Sequence, residues 1–336
     1  MRFLVTGGAG YIGSHAVVAL LKAGFEVVVL DDLSNSSLVA LERVEKIAGK
    51  AFSFYRGSIS DKIVLATIFS GHKIDVVLHF AGSKAVSESV RDPLFYYSNN
   101  VSGSLALLEV MAYFGVCNII FSSSATVYGA PTSMPISEAQ GHGVAHNPYG
   151  ETKQVIERVL TNLVKSDDRW SVAILRYFNP IGAHFSGLIG ESPSGTPNNL
   201  LPYILQVAVG RLNKLMVFGG DYPTIDGTGV RDYIHVLDLV EGNLAAAEYM
   251  MANKGLGIWN LGTGQGYSVL QVLSSFKDVT GFDIPYEITA RRPGDIASCW
   301  ADSAKASKDL KWSAKRSLSQ MLEDSWRWQK NNPQGY

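Results

Sequence analysis

The sequence predicts an α/β fold, in which a doubly wound parallel sheet is followed by a smaller mixed α/β lobe. Two observations lead to this fold class. Short apolar runs alternate with longer segments of helical spacing over the amino-terminal half of the chain, and the first run leads directly into a glycine-rich turn. Helices that alternate with strands cover both faces of a parallel sheet, so its strands are apolar along their whole length.

The individual elements follow from the spacing of apolar residues. The predicted strands are Phe3–Val5, Val27–Leu30, Phe52–Tyr55, Val76–Phe80, Ile119–Phe121 and Val172–Leu175. Helical spacing connects several of them, over Ile12–Ala23, Leu38–Ala48 and Val101–Phe114. After Asn179 the alternation gives way to stretches rich in glycine, proline and serine. We therefore expect one domain over residues 1–178 and a substrate-binding lobe over 179–336, interleaved with the first and returning strand segments to it.

Composition and charge restrict the classes of partner. The 336 residues carry 29 Lys+Arg against 30 Asp+Glu, a formal net charge of −1, so no overall field attracts nucleic acid or an anionic membrane. We find neither a signal-like segment at the start nor the ~18 consecutive apolar residues of a membrane-spanning helix. The two cysteines, Cys117 and Cys299, lack the spacing of a disulfide framework or a metal site. We expect a cytoplasmic protein without a metal.

A glycine pattern follows the first predicted strand and opens the first helix. It reads Thr6-Gly7-Gly8-Ala9-Gly10-Tyr11-Ile12-Gly13. Glycines allow a tight turn and a close approach of backbone N–H groups to a pyrophosphate, which the helix amino terminus also attracts. The second strand ends in Asp31, about 20 residues on, where a carboxylate accepts hydrogen bonds from ribose hydroxyls and repels a 2′-phosphate. The pattern predicts a Rossmann-type site for NAD rather than NADP.

A second set of residues indicates proton transfer. The fifth strand ends in Ser122-Ser123-Ser124, and a later helix opens with Tyr149 four residues before Lys153. This spacing places Tyr149 and Lys153 on one helix face, so we expect the ammonium to lower the pKa of the phenol from its usual ~10. The Ser124 hydroxyl is then placed to bridge a substrate oxygen to Tyr149.

Together these motifs resemble the extended short-chain dehydrogenase/reductase family, and within it the nucleotide-sugar 4-epimerases. The matching segments span nearly the whole chain: VTGGAGYIGSH, HFAGSKAVSES, FSSSATVYG, NPYGETK, LRYFNPIGAH, PNNLLPYI, DYPTIDGTGVRDYIHV and WADSAKASKDLKW. The resemblance implies reversible 4-epimerisation of UDP-glucose and UDP-galactose through a transient 4-keto sugar and bound NAD. Tyr149 would be the base, Ser124 would orient the proton, and Lys153 would also contact the nicotinamide ribose. It further implies a homodimer built on two helices from each subunit.

The resemblance also implies the residues that line each half of the site. Those for the cofactor are Gly7, Gly10, Tyr11, Ile12, Gly13, Asp31, Asn35, Ser58, Ile59, Phe80, Ala81, Gly82, Lys84, Asn99, Ser122, Tyr149, Lys153 and Tyr177. Those for the UDP-hexose are Ser124, Asn179, Asn199, Leu200, Val217, Phe218, Arg231, Tyr233, Arg292, Asp295 and Cys299. Guanidinium groups such as those of Arg231 and Arg292 suit a diphosphate, because they bind phosphate oxygens in bidentate fashion.

The sequence departs from the family pattern at two positions. Ser58 stands where relatives usually carry an aspartate that accepts from the adenine amino group, so we expect somewhat looser cofactor binding. Cys299 stands where many bacterial relatives place a tyrosine beside the sugar. In this family a small residue there accompanies room for a 2-acetamido group, so we expect interconversion of UDP-GlcNAc and UDP-GalNAc as well.

Two other functions are compatible with part of this pattern. A nucleotide-sugar 4,6-dehydratase or decarboxylase shares the cofactor, the tyrosine and the lysine, but elimination needs an extra acid, and relatives of that type carry Asp-Glu after the strand-end serine or threonine. Here Ala125 and Thr126 occupy those positions, which favours epimerisation. A non-catalytic NAD-binding scaffold would keep the glycine turn but has no need for Ser124, Tyr149 and Lys153 together.

Overall fold

The computed structural model describes residues 1–292 and 294–336, and within them seven parallel strands form the largest sheet. Its strands are β1 (Arg2–Thr6), β2 (Glu26–Asp31), β3 (Ser53–Arg56), β4 (Val76–His79), β5 (Asn118–Ser124), β6 (Ser171–Tyr177) and β10 (Gly255–Leu261). The spatial order is β3-β2-β1-β4-β5-β6-β10, so the chain winds outward in both directions from β1 and β4. The predicted doubly wound α/β fold is confirmed.

Helices cover both faces of this sheet. They are α1 (Tyr11–Lys22), α2 (Leu38–Ala48), α3 (Lys62–Gly71), α4 (Val86–Arg91), α5 (Pro93–Tyr96), α6 (Gly103–Tyr113), α7 (Pro148–Ser166), α9 (Val236–Ala252) and α11 (Ala304–Leu310). One core joins the sheet to α1, α2, α9 and α11, and a second core joins the opposite face to α3, α6 and α7. Because both faces are buried, the strands carry the uninterrupted apolar runs that the sequence displays.

The remaining elements form a smaller lobe. Its strands are β7 (Asn179–Ile181), β8 (Leu215–Phe218), β9 (Val230–His235), β11 (Gly266–Ser268), β12 (Tyr286–Thr289) and β13 (Ser298–Cys299). Its helices are α8 (Leu200–Ala208), α10 (Val269–Thr280) and α12 (Leu318–Asn331), which share an apolar core with β8 and β9. Strand β9 pairs with β7, β11 and β13, and β8 pairs with β12.

The topology brings the two parts together at one edge. Strand β1 lies between β2 and β4, so the connections diverge there and leave a crevice at the carboxyl ends of these strands, where open α/β sheets bind ligands. Strand β10 belongs to the later half of the chain, but it pairs with β6 in the large sheet. No helix in the described ranges is both long and apolar enough to cross a membrane.

Candidate active site

The glycine turn between β1 and α1 is shaped by close backbone approaches. Gly7 has a φ of 70°, and a Cβ there would lie 2.7 Å from the backbone nitrogen of Ala81. At Gly13 a Cβ would lie 2.1 Å from the carbonyl oxygen of Gly7. Gly10 precedes the helix without a side-chain cap, so the first N–H groups of α1 remain available to an anion. The turn therefore fits the pyrophosphate of a dinucleotide.

Asp31 ends β2 beside this turn. Its Oδ2 accepts from the backbone N–H of Ala9 at 2.9 Å, and its Oδ1 accepts from the N–H of Leu33 at 2.9 Å and the hydroxyl of Ser36 at 2.7 Å. A carboxylate has about four acceptor positions, so capacity remains for a ribose hydroxyl. Asn35 is exposed on the same loop.

The other residues predicted for the cofactor lie on several elements. The N–H groups of Phe80 and Ala81 both donate to the carbonyl oxygen of Thr6 at 3.1 Å, which holds the segment after β4 against the glycine turn. The Ser58 hydroxyl accepts from the N–H of Ser60 at 3.2 Å and lies 2.8 Å from its hydroxyl, so part of its capacity is used within its own turn.

Two further predicted cofactor residues occupy distinctive backbone or core positions. Asn99 lies in a π-helical turn over Tyr97–Ser102, a conformation found frequently at functional sites. Its neighbour Asn100 is buried and donates to Ser83 and Thr152, which fixes that turn against α7. The Tyr177 hydroxyl donates to Asn243 at 2.7 Å in the core.

The structure brings Ser124, Tyr149 and Lys153 together. Ser124 is the last residue of β5, and its hydroxyl, which accepts from the N–H of Thr126 at 3.2 Å, lies close enough to the Tyr149 phenol to lower the pKa of that phenol. Helix α7 begins at Pro148, where the Asn147 side chain accepts from the N–H of Gly150 at 2.9 Å. This cap fixes the first turn, which carries Tyr149. One turn later the Lys153 Nζ lies 5.8 Å from the centre of the Tyr149 ring.

The expected effect of Lys153 on the pKa of Tyr149 is wrong. Burial raises the pKa of the phenol above its ordinary value of 10.0, and the nearby Ser124 hydroxyl offsets only part of that rise. The Lys153 ammonium instead donates to the carbonyl oxygen of Ser122 at 2.7 Å, and burial lowers its own pKa to about 8. At neutral pH the phenol is therefore protonated and the neighbouring ammonium is charged.

The sequence did not predict a buried ion pair near Tyr149 and Lys153. Glu157 continues the four-residue spacing along α7 and accepts from the Arg176 guanidinium on β6 at 2.7 and 3.1 Å. His142 lies 2.7 Å from the same carboxylate, and Ser123 donates to it. Burial raises the pKa of Glu157, but these hydrogen bonds outweigh burial and hold it at about 2. An arginine within the apolar run of β6 was the signal that could have revealed this pair.

Strand β9 collects the residues predicted for the substrate. Arg231 and Tyr233 are two residues apart and therefore face the same side of the strand. In register, Cys299 of β13 pairs with Arg231, and Asn179 of β7 pairs with Tyr233. Arg231 also forms an ion pair with Asp295. Burial raises the pKa of Tyr233 to about 12, so its hydroxyl stays neutral.

The remaining predicted substrate residues lie at the edge of the lobe. Val217 and Phe218 end β8, and the Arg292 guanidinium carbon lies 3.9 Å above the centre of the Phe218 ring. Asn199 and Leu200 begin α8, where the Asn199 amide donates to Glu191 at 3.1 Å. Glu191 was missed because it lies in a glycine- and proline-rich segment that carries no periodic signal.

The fold and the site define a class of protein: a Rossmann-type, dinucleotide-dependent enzyme with a serine, a tyrosine and a lysine at the carboxyl edge of its sheet. A model of the NAD dependent epimerase/dehydratase family matches residues 3–262, and the chain belongs to that family.

Individual relatives match over the whole chain. A UDP-glucose 4-epimerase of Bacillus subtilis is 56% identical over 336 residues, covering 100% of this chain and 99% of that protein. The crystal structure of UDP-glucose 4-epimerase from Bifidobacterium longum in complex with NAD+ and UDP is 49% identical, covers 100% of both chains and has a TM-score of 0.98. The UDP-Glc/GlcNAc 4-epimerase from Campylobacter jejuni is 36% identical, covers 98% of this chain and 99% of its own, and has a TM-score of 0.85.

Proposed function

We propose that the protein catalyses the reversible 4-epimerisation of UDP-glucose and UDP-galactose with bound NAD. The observation that carries this proposal is the placement of Ser124 and of the Lys153 ammonium beside the buried phenol of Tyr149. The sequence that follows Ser124, Ala125-Thr126, contains no acid for elimination at carbon 6. The full-length relatives of this architecture carry the same activity in their names.

The residues present fit an NAD cofactor. Gly7, Gly10 and Gly13 leave space against the α1 amino terminus for the pyrophosphate, and Asp31 would accept from the adenosine ribose. Lys153 keeps donors beyond the one used on Ser122 and would bind the nicotinamide ribose. When bound, NAD accepts the hydride from carbon 4 and returns it to the opposite face.

The protein supplies the proton transfer. Because the free protein holds Tyr149 protonated, the phenol would first release its proton to solvent. The phenolate would then take the proton of the 4-hydroxyl as the hydride leaves, and Ser124 would hold the substrate oxygen in line with it. Lys153 stabilises the phenolate that forms, because its charge lies close by in a buried setting. In the return step Tyr149 gives the proton back to the keto oxygen, for which the protonated phenol favoured by burial is suited. Inversion requires the 4-keto sugar to present its other face while its nucleotide remains bound.

The nucleotide would be held by the lobe built on β9. Arg231 and Arg292 would bind the diphosphate, with Phe218 and Tyr233 lining the nucleoside. Asn179, Asn199, Leu200, Val217 and Asp295 remain proposed contacts. The carboxylate of Asp295 keeps Arg231 in place through their ion pair.

A second substrate pair is supported by the surroundings of Cys299. The thiol is buried among Val127, Tyr128 and Phe178, and it lies in register with Arg231. A tyrosine would need far more volume at this position. We therefore propose that UDP-GlcNAc and UDP-GalNAc are also interconverted, and the Campylobacter jejuni relative is named a UDP-Glc/GlcNAc 4-epimerase.

The assembly and the compartment are proposed on separate grounds. Leu94 is 82% exposed on α5, where Phe95 is also exposed, and Val90 of α4 and Leu105 of α6 are exposed on the neighbouring helices. An apolar surface on α4 to α6 supports the proposed homodimer, which sedimentation at several concentrations would test. Both cysteines are unpaired within the described chain, which supports a reducing cytoplasm.

One assay separates the candidate reactions. The purified protein is incubated with UDP-glucose or with UDP-GlcNAc, without added NAD, and the 4-epimers are resolved. Epimerisation gives UDP-galactose and UDP-GalNAc, whereas a dehydratase gives a 4-keto-6-deoxy product. A protein that retains NAD and converts neither substrate would favour the scaffold. Tyr149→Phe, which removes one hydroxyl, is the matched inactive control.

A further inference from the structure

Glu191 connects the two halves of the proposed site through one oxygen. Its Oε1 accepts from the Lys84 ammonium at 2.8 Å and from the Asn199 amide at 3.1 Å. Lys84 follows β4 in the cofactor half, whereas Asn199 caps α8 in the substrate half. A single carboxylate therefore holds one residue of each half.

A second bridge lies beside the first. The Ser87 hydroxyl of α4 donates to the Asn198 side chain at 3.1 Å, and the Arg292 guanidinium donates to the Asn198 carbonyl at 3.4 Å. We call these two bridges the clasp: Lys84 and Ser87 on one side, and Glu191, Asn198 and Asn199 on the other. The segment that carries Asn199 also contacts Arg292. The clasp connects this segment to the chain that follows β4.

Contacts with the last helix, α12, fix the position of Glu191. Its backbone carbonyl accepts from the Trp328 indole at 3.2 Å, and a Cβ on Gly190 would lie 2.4 Å from the Trp328 ring. The Tyr336 hydroxyl lies 3.2 Å from both the nitrogen and the oxygen of Gly190. The Glu191 side chain is 11% exposed while that of Lys84 is 47% exposed, so the anchored partner is the carboxylate.

We infer that Glu191 is a positioning residue for the nucleotide-sugar site, acting through Asn199 and through Lys84. This inference rests on the proposed function, because it takes Asn199 as a substrate contact. An ion pair whose lysine is half exposed contributes little to the stability of the fold. Holding Asn199 in its binding orientation before the substrate arrives removes an ordering cost from binding. The clasp should therefore affect affinity far more than unfolding.

The test is a double-mutant cycle on the NAD-containing protein. Calorimetry measures the Kd of UDP for wild type, Glu191→Ala, Lys84→Met and the double variant. We expect Glu191→Ala to weaken UDP binding about tenfold, the ratio that corresponds to about 1.4 kcal/mol. Lys84→Met in the Glu191→Ala background should add less than about twofold, because its partner is already gone.

Kinetics and a conservative variant distinguish positioning from structural damage. Glu191→Ala should raise KM for UDP-glucose and keep kcat within about threefold of the wild-type value, because neither Lys84 nor Asn199 contacts Tyr149. Glu191→Gln keeps an acceptor for Asn199 and should recover most of the UDP affinity, while Ser87→Ala should give a smaller rise in Kd than Glu191→Ala. Asp283→Asn, which breaks the exposed pair with Lys277, is the matched control and should change neither value.

Three results would overturn the inference: a UDP Kd in Glu191→Ala within twofold of wild type, independent effects of Glu191→Ala and Lys84→Met, or a fall in kcat at constant KM. If Glu191→Ala does not fold, the response to Lys84→Met decides: a rise in UDP Kd by the same factor in the Glu191→Gln and wild-type backgrounds would show that Lys84 does not act through Glu191. A wild-type protein that binds UDP without epimerising any sugar would refute the proposed function alone.

Discussion

The Lys153 ammonium donates a hydrogen bond to the Ser122 carbonyl oxygen across 2.7 Å, within a buried setting that lowers the pKa of this lysine to about 8. The unfolded chain, with a lysine pKa of ~10.4, binds this proton more tightly than the folded protein. Burying the charge therefore costs stability below about pH 8, and that cost is relieved as the pH rises from 8 to 10.4.

Lys153→Met should consequently separate activity from stability. We expect kcat to fall at least about 100-fold, because the phenolate of Tyr149 loses its charge partner. Calorimetry at pH 7 should give a Tm no lower than that of wild type. Lys165→Met, on the exposed end of the same helix, should change neither quantity. A clear drop in Tm for Lys153→Met would show that the ammonium stabilises the fold.

The pH dependence of the wild type follows from the same lysine. In the free protein, kcat/KM for UDP-glucose should decline as the pH rises through about 8, where Lys153 loses its proton. This decline at alkaline pH should be absent in an active Lys153→Arg variant, because arginine stays protonated. An unchanged decline in the arginine variant would mean that another group causes it.

Glu157→Gln should destabilise the protein although it leaves the proton-transfer residues in place. The amide keeps an acceptor but removes the charge that faces Arg176, and a buried charge without its partner costs about 3 to 5 kcal/mol. Because the folded-state pKa of Glu157 is held at about 2, its stabilisation is present above ~4.3 and is lost as the pH falls toward 2. Urea unfolding at pH 7 and pH 4 should therefore show a smaller difference from wild type at pH 4. Glu109→Gln, in an exposed pair with Lys62, should remain within about 0.5 kcal/mol.

Gly13→Ala should abolish cofactor binding. Its Cβ would lie 2.1 Å from the Gly7 carbonyl oxygen and 2.8 Å from the Gly8 Cα, and backbone atoms of a tight turn cannot move aside cheaply. The purified variant should contain no NAD by absorbance after denaturation. Gly71→Ala, where the nearest atom is 3.9 Å from the added Cβ, serves as the control and should retain wild-type cofactor content. Normal NAD content in Gly13→Ala would contradict the assigned turn.

Cys299→Tyr should restrict the substrate range. A tyrosine beside Phe178 would overfill the volume proposed for a 2-acetamido group, so conversion of UDP-GlcNAc should fall at least about tenfold while that of UDP-glucose is spared. The ratio of kcat/KM for the two sugars is the measurement. Cys117→Ala, just before the first residue of β5, should leave that ratio unchanged. Equal losses on both sugars would mean that Cys299 is only a core residue.

Ser58→Asp should tighten NAD binding. The Ser58 hydroxyl already accepts from the N–H of Ser60, whereas an aspartate would bring a second oxygen and a charge to the adenine amino group. We expect a several-fold lower rate of NAD release, followed by fluorescence after dilution. An unchanged release rate would place Ser58 away from the adenine.

Local sequence patterns were sufficient to predict the fold and to identify Tyr149, Ser124 and Lys153 as candidate residues. The apolar runs of β1, β2, β4, β5 and β6 are buried on both faces, so their composition alone predicted them, and the turn at Gly7–Gly13 needs glycine for steric reasons. The four-residue spacing of Tyr149 and Lys153 is a property of one helix. Such features depend only on neighbours along the chain.

The tertiary structure decided what no single segment contains. The pKa of Tyr149 depends on how deeply the phenol is buried, and burial raises it although the helical spacing places Lys153 nearby. Glu157 of α7 pairs with Arg176 of β6, and Glu191 pairs with Lys84 across 107 positions of sequence. Desolvation and long-range ion pairs arise only when separate elements pack together, so the sequence predicted the candidate residues and the packing determined their protonation and their placement.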